Sequence, residues 1–132
     1  MSTPSIVSIK TKNGFEGIYV HFDGRSQYMR DNLVNAFGTA KKAKELIALG
    51  DMSAVMETLE KCKLQSYLYK AWNVSGYEHM QNEIAKDEHC FDAKHFANLR
   101  DLHNYAKDCD CQLYIFDENW LWEDEDGFLE TI

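Results

Sequence analysis

The chain is poor in residues that break or repeat structure, with one proline, Pro4, and seven glycines in 132 residues. That scarcity excludes collagen-like repetition and a proline-rich linker. No apolar run approaches the ~18 residues a membrane span requires, and Met1 to Pro4 is not followed by the basic and apolar regions of a signal peptide. A cytoplasmic protein away from membranes is expected, with Cys62, Cys90, Cys109 and Cys111 as thiols rather than a disulfide framework. The Asn73-Val74-Ser75 glycosylation signal then goes unused. Bases are absent from the last stretch: residues 108–132 hold nine acids, Asp108, Asp110, Asp117, Glu118, Glu123, Asp124, Glu125, Asp126 and Glu130, and no Lys or Arg. Residues 1–107 hold fourteen bases against thirteen acids, so the net charge of −8 comes wholly from that block. A one-sided acidic block attracts basic surfaces and repels nucleic acid, so direct binding to DNA or RNA is disfavoured.

What is present suits one globular α+β domain over residues 1–132, at 45% apolar and 27% charged. Folding at this length buries roughly two-thirds of the open chain's surface, enough for a core without a metal or a cystine framework, and no cofactor is expected. Two alternating runs around Asn13-Gly14 predict a hairpin with a type I′ turn, pairing Ile9 with Ile18 and Val7 with Val20 on the core side, and Ile6 with His21 and Ser8 with Tyr19 on the other. Ser26 or a neighbour starts a helix through about Phe37, stopped by Gly38, and Thr39 caps a second carrying Ala43, Leu46 and Ile47, with Gly50 suited to a left-handed cap. Asp51 or Ser53 is expected to begin a short third helix with Val55, Met56 and Leu59. From Gln65 to Asn73 the residues Tyr67, Leu68, Tyr69, Ala71 and Trp72 read as a strand, closed by Val74-Ser75-Gly76. Tyr77, Met80 and Ile84 form a helical stripe, and Asp92 is expected to cap a helix holding Phe96, Leu99, Leu102 and Ala106. Cys111 to Phe116 and Trp120 to Trp122 form a closing hairpin around Asp117-Glu118-Asn119, followed by an apolar end, Phe128 to Ile132, that docks back. Together these give a mixed or antiparallel sheet of about four or five strands with helices mainly on one face.

Four constellations invite a chemical reading. Cys109, Cys111, His95 and His103 hold suitable zinc ligands, with His95, Leu99 and His103 along one predicted helix face, but a Cys-x-Cys lacks the usual spacing of a structural site, so no metal is expected. Cys90 beside His89 resembles a nucleophile and base, yet Asp87 and Glu88 nearby raise a thiol pKa. His21 and Asp23, with Tyr19 and Tyr28, can share a sheet edge as a polar ligand site or a base and its orienter, against the plainer reading of a packed histidine and a tight Asp23-Gly24 turn. The aromatics Tyr67, Tyr69, Trp72, Tyr114, Phe116, Trp120 and Trp122 suit a stacking platform, but their neighbours are acidic, so they read mainly as core, with Tyr114, Trp120 and Trp122 as candidate anchors for a protein.

At Gly17-Ile-Tyr-Val-His-Phe-Asp23-Gly24, then Ala40 to Lys44 and Glu45-Leu-Ile-Ala-Leu-Gly-Asp-Met-Ser53, the sequence resembles a family of small proteins encoded by bacteriophages and prophages. Its marks are a Tyr-x-His-x-Asp-Gly hairpin end and a Leu-Ile-x-Leu-Gly-Asp-x-Ser segment, and Tyr114 to Trp122 looks like the family's closing aromatic hairpin. The resemblance covers about residues 5–60 and, loosely, 110–123; Arg25-Ser26-Gln27-Tyr28 departs from the Tyr-Pro and glycine-rich continuation common in the family. It implies context rather than a reaction: a phage accessory protein in the bacterial cytoplasm. The leading expectation is a non-enzymatic inhibitor of a host defence protein or complex, of anti-CRISPR or anti-restriction type. Asp117, Glu118, Trp120, Trp122, Glu123, Asp124, Glu125 and Asp126 would imitate nucleic-acid charge on a partner's basic surface. The alternative is a small-ligand or signalling-nucleotide sponge or hydrolase at Tyr19, His21, Asp23 and Tyr28. A third possibility is a structural phage component, with a homodimer through the aromatic hairpin.

Overall fold

Six strands form one open mixed sheet in the order β3-β2-β1-β4-β5-β6, in a computed structural model that describes residues 3–76 and 91–132. The strands are β1 (Ser5–Thr11), β2 (Gly14–Val20), β3 (Lys94–Phe96), β4 (Gln112–Asp117), β5 (Asn119–Glu123) and β6 (Leu129–Thr131). Pairing is antiparallel except between β1 and β4, which run parallel with Val7 beside Tyr114 and Ile9 beside Phe116. Four helices are described: α1 (Gln27–Ala36), α2 (Ala40–Ala48), α3 (Leu59–Gly76) and α4 (Leu99–Asp108). The α+β class and the mixed sheet are as expected, with slightly more strands.

Because side chains alternate along a strand, β1 feeds two cores. Val7, Ile9, Ile18, Val20, Tyr114, Phe116 and Trp120 pack with Met29 and Leu33 of α1, Leu46 and Ile47 of α2, and Cys62 of α3. On the opposite face Ile6, Leu113, Ile115 and Phe96 pack with Leu102 and Ala106 of α4. Three helices therefore serve one face, and α4 seals the other. Burial on both faces accounts for the near-continuous apolar run of β4.

The first hairpin forms, but its register is shifted by two residues. Val7 pairs with Ile18, Ile6 with Tyr19, Ser8 with Gly17 and Ser5 with Val20, so the turn is Lys12-Asn13 rather than Asn13-Gly14. A slip of two keeps every side chain on its expected face. Asn13 has no positive φ, while Gly14 has a φ of 139° inside the strand. The Phe96 carbonyl comes so close to Gly14 that a Cβ would collide with it. The glycine is needed for that neighbour rather than for a type I′ turn.

Helices α1 and α2 match their signals. Ser26 accepts from the Met29 N–H at 3.0 Å, Thr39 accepts from the Lys42 N–H at 3.3 Å, and Gly50 takes a φ of 80° after α2. Three expectations are corrected. Residues 51–58 are not a helix: Met52 makes a parallel bridge with Val20, and the Phe22 N–H donates to the Ser53 carbonyl at 2.8 Å, so the chain runs beside the free end of β2. Tyr67 to Trp72 is not a strand but part of α3, because Cys62 and Ser66 sit one helical turn apart on a buried stripe while Tyr67 and Leu68 are exposed. Phe96 lies on β3, paired with Phe15, and α4 starts later, at Asn98, whose side chain accepts from the Asp101 N–H at 2.9 Å. His95 therefore does not share a helix face with His103. The stripe of Tyr77, Met80 and Ile84, and the His89-Cys90 pair, lie outside the described residues.

Candidate functional site

The closing hairpin and the strand after it organise the acidic residues. Between β5 and β6 the Asp124 carboxylate accepts from the Asp126 and Phe128 N–H groups, both at 2.9 Å, and Gly127 takes a φ of 84°. This tight turn gathers Glu123, Asp124, Glu125 and Asp126 with Asp110, which follows α4, around a cleft of about 440 Å³. His103 and Lys107 of α4 form its basic wall. The charges are partly spoken for: His103 Nδ1 lies 2.7 Å from Glu123 Oε1, and Arg25 donates to Glu125 at 2.7 Å. Asp126 and Glu130 are exposed, and Phe128 beside them is 70% exposed.

Contiguity in sequence is not contiguity in space. Asp117 and Glu118 stand at the other end of β5, roughly 13 Å from Glu123 by the rise of a strand, and Asp117 pairs with Lys10 at 3.6 Å. Trp120 is removed from any contact surface. It is 2% exposed, and its Nε1–H donates to the Phe37 carbonyl at 2.9 Å, so it is a core side chain tying β5 to the end of α1 rather than an anchor. Trp122 is half-buried under the Arg30 guanidinium, 4.4 Å from its ring centroid. Tyr114 is fully buried, donating to the Gly24 carbonyl at 2.6 Å and accepting from Arg30 Nε at 3.2 Å. Burial raises its phenol pKa.

A second concavity lies at the free end of β2. The Tyr19 hydroxyl and His21 Nδ1 are 2.8 Å apart. Ser66 of α3 donates to the Leu49 and Asp51 carbonyls at 3.0 and 2.9 Å, and Lys70 donates to the Leu49 carbonyl at 3.1 Å, which lays α3 across this end. Tyr69 is thereby set 5.9 Å from Tyr19 and 6.5 Å from His21, centroid to centroid. Asp51 is 6% exposed and accepts the Tyr19 N–H at 2.9 Å. Desolvation raises its carboxyl pKa, opposed by that hydrogen bond and by Lys94 and Lys70. Of the four residues expected here, Tyr19 and His21 come together, while Asp23 and Tyr28 line neither of the adjoining cavities. Asp23 is an exposed turn residue with a φ of 65°, and Tyr28, on α1, donates to Glu57 at 2.6 Å. Glu57, which also pairs with Lys61, is held at about 2 by these two donors, Lys61 first.

The sequence reading missed Asp51, Tyr69, Trp72, Lys94 and Tyr105 at this end. A helical reading of residues 59–76 was the available signal, since Leu68 and Trp72 then fall one turn apart. Among the described residues no group of three or more His, Cys, Asp or Glu is placed to hold a metal ion, and no helix is long and apolar enough to cross a membrane. Cys62 is buried and its thiol is pushed up to about 11; burial, with Cys109 close by, pushes Cys111 up to about 12. Neither is an activated nucleophile. No family model matches the chain, and no curated protein and no solved structure matches it either.

Proposed function

We propose that the chain is a non-enzymatic binding protein whose acidic turn engages a basic surface of another protein. In the phage context that the sequence resemblance implies, the partner is a host defence complex that handles nucleic acid. The observation that carries this reading is the convergence of Asp110 and the four acids of residues 123–126 on one cleft, with Phe128 exposed beside it. Charge of one sign steers a basic partner inward, and an exposed aromatic supplies an anchor once contact is made. Asp117 and Glu118 belong to a separate acidic point at the far end of β5.

The test uses the tagged full chain, retained with its partner from a bacterial host at low and then high salt. Glu123 and Asp124 hold the turn together, so the informative double variant is Glu125→Lys with Asp126→Lys. It is expected to weaken retention about tenfold or more with an unchanged melting temperature, whereas Asp117→Lys with Glu118→Lys has a smaller effect. Retention that withstands both high salt and the Glu125/Asp126 reversal would overturn the reading.

A further inference from the structure

We propose that the concavity between the end of β2 and α3 is a binding site for a small, uncharged, planar heteroaromatic molecule with N–H donors, of purine-nucleoside chemistry. The proposal stands apart from the acidic turn.

Two adjoining cavities, of about 430 and 450 Å³, share His21, Tyr69 and Trp72 as lining residues. Each volume lies within the range that small-molecule sites occupy. The first is mostly apolar, with Phe22, Ser53 and Leu68 completing its wall; the second adds Tyr19, Asp51 and Lys94 among others. Aromatic residues in the lining, Tyr69 and Trp72 of both cavities with Phe22 in the first and Tyr19 in the second, favour a flat ring, since stacking on Tyr or Trp rewards any extended π-system and costs little side-chain entropy. His21 stands at the join, edge-on to Phe22 with centroids 4.5 Å apart. Its Nδ1 is taken by the Tyr19 hydroxyl, which fixes the ring and leaves Nε2 as its polar atom for a ligand.

Asp51 supplies the selectivity. A carboxylate more than nine-tenths buried, with one oxygen accepting the Tyr19 N–H, keeps a second oxygen for a donor. A ring bearing an amino group meets that need, and a ring without one leaves a buried acceptor unsatisfied. Lys94 lines the same cavity as Asp51, so the wall carries both signs and a charged ligand gains no net attraction. These requirements select a nucleobase-like ring rather than an aliphatic or strongly anionic compound.

The experiment is calorimetric titration of the full chain with adenosine, with purine riboside, which has the same ring without the amino group, and with ribose. Adenosine is expected to bind saturably and about tenfold or more tightly than purine riboside, and ribose not at all. Trp72→Ala, which removes a ring common to both cavities, is expected to weaken adenosine about tenfold or more. Asp51→Asn, which keeps an acceptor for the Tyr19 N–H, is expected to erase the preference for adenosine while purine riboside still binds. The proposal is overturned if adenosine fails to saturate the wild-type chain, if ribose matches it, or if Trp72→Ala leaves its affinity unchanged.

Discussion

Asp51 concentrates the tension between stability and function in one side chain. It is almost fully enclosed, bonded to the Tyr19 N–H, and its carboxyl pKa is raised, chiefly by desolvation. The folded chain therefore holds that proton more tightly than the unfolded chain. As pH rises from about 4, the unfolded carboxyl ionises first, so this group's contribution to stability falls until the raised native value is passed. Asp51→Asn retains a carbonyl oxygen for the same hydrogen bond. The expected outcome is a variant at least as stable as the wild type at pH 7, without the decline between pH 4 and neutrality. Urea unfolding over a pH series measures this; a variant clearly less stable at pH 7 would mean that Lys94 and Lys70 hold the carboxylate more firmly than burial opposes it. From sequence alone Asp51 is a helix-cap candidate and one residue of the Leu-Gly-Asp-x-Ser segment, not a partner of Tyr19, because a carboxylate that answers a backbone N–H on a distant strand leaves no periodic trace.

At the scale of elements, legibility followed the locality of the signal. The caps at Ser26 and Thr39, the stop at Gly50 and the closing aromatic hairpin each depend on residues within a few positions, and each was readable. Helix α3 was not, because Tyr67, Tyr69 and Trp72 carry strand propensity while its buried stripe consists of a cysteine and a serine. The turn of the first hairpin was misplaced for a related reason: the claim on Gly14 comes from β3, some eighty residues away. The orientation of α3 is testable by contrast. Ser66→Ala removes a hydroxyl that serves the Leu49 and Asp51 carbonyls and is expected to cost about 1 kcal/mol, whereas Tyr67→Ala, at a side chain 69% exposed, stays within about 0.5 kcal/mol of the wild type. Denaturant midpoints for the two variants decide it, and equal losses would contradict the placement of the helix.

For the whole molecule, the acidic block was visible as a composition but not as a shape. Folding divides it between two ends of one strand, and gives Glu123, Asp124, Glu125 and Asp117 partners within the chain. Trp120, adjacent to the block in sequence, becomes core. The same topology makes the C-terminal part structural as well as acidic. Removing residues 109–132 takes away β4, β5 and β6 and leaves β1, apolar on both faces, as an open edge. The shortened chain is expected to aggregate, read by solubility and size-exclusion chromatography; a soluble, cooperatively unfolding fragment would show that the first hairpin and helices suffice.

The parallel pairing of β1 with β4 also sets a timetable. Ser5 is paired with Gln112 and Ile9 with Phe116, so β1 must wait on the ribosome for a partner translated roughly a hundred codons later. At about 5–20 residues per second that interval lasts some seconds, during which the hairpin can close but the middle of the sheet cannot. A nascent chain of this topology carries its future centre exposed throughout that interval, and its yield in a cell depends on whatever shields β1 until β4 emerges.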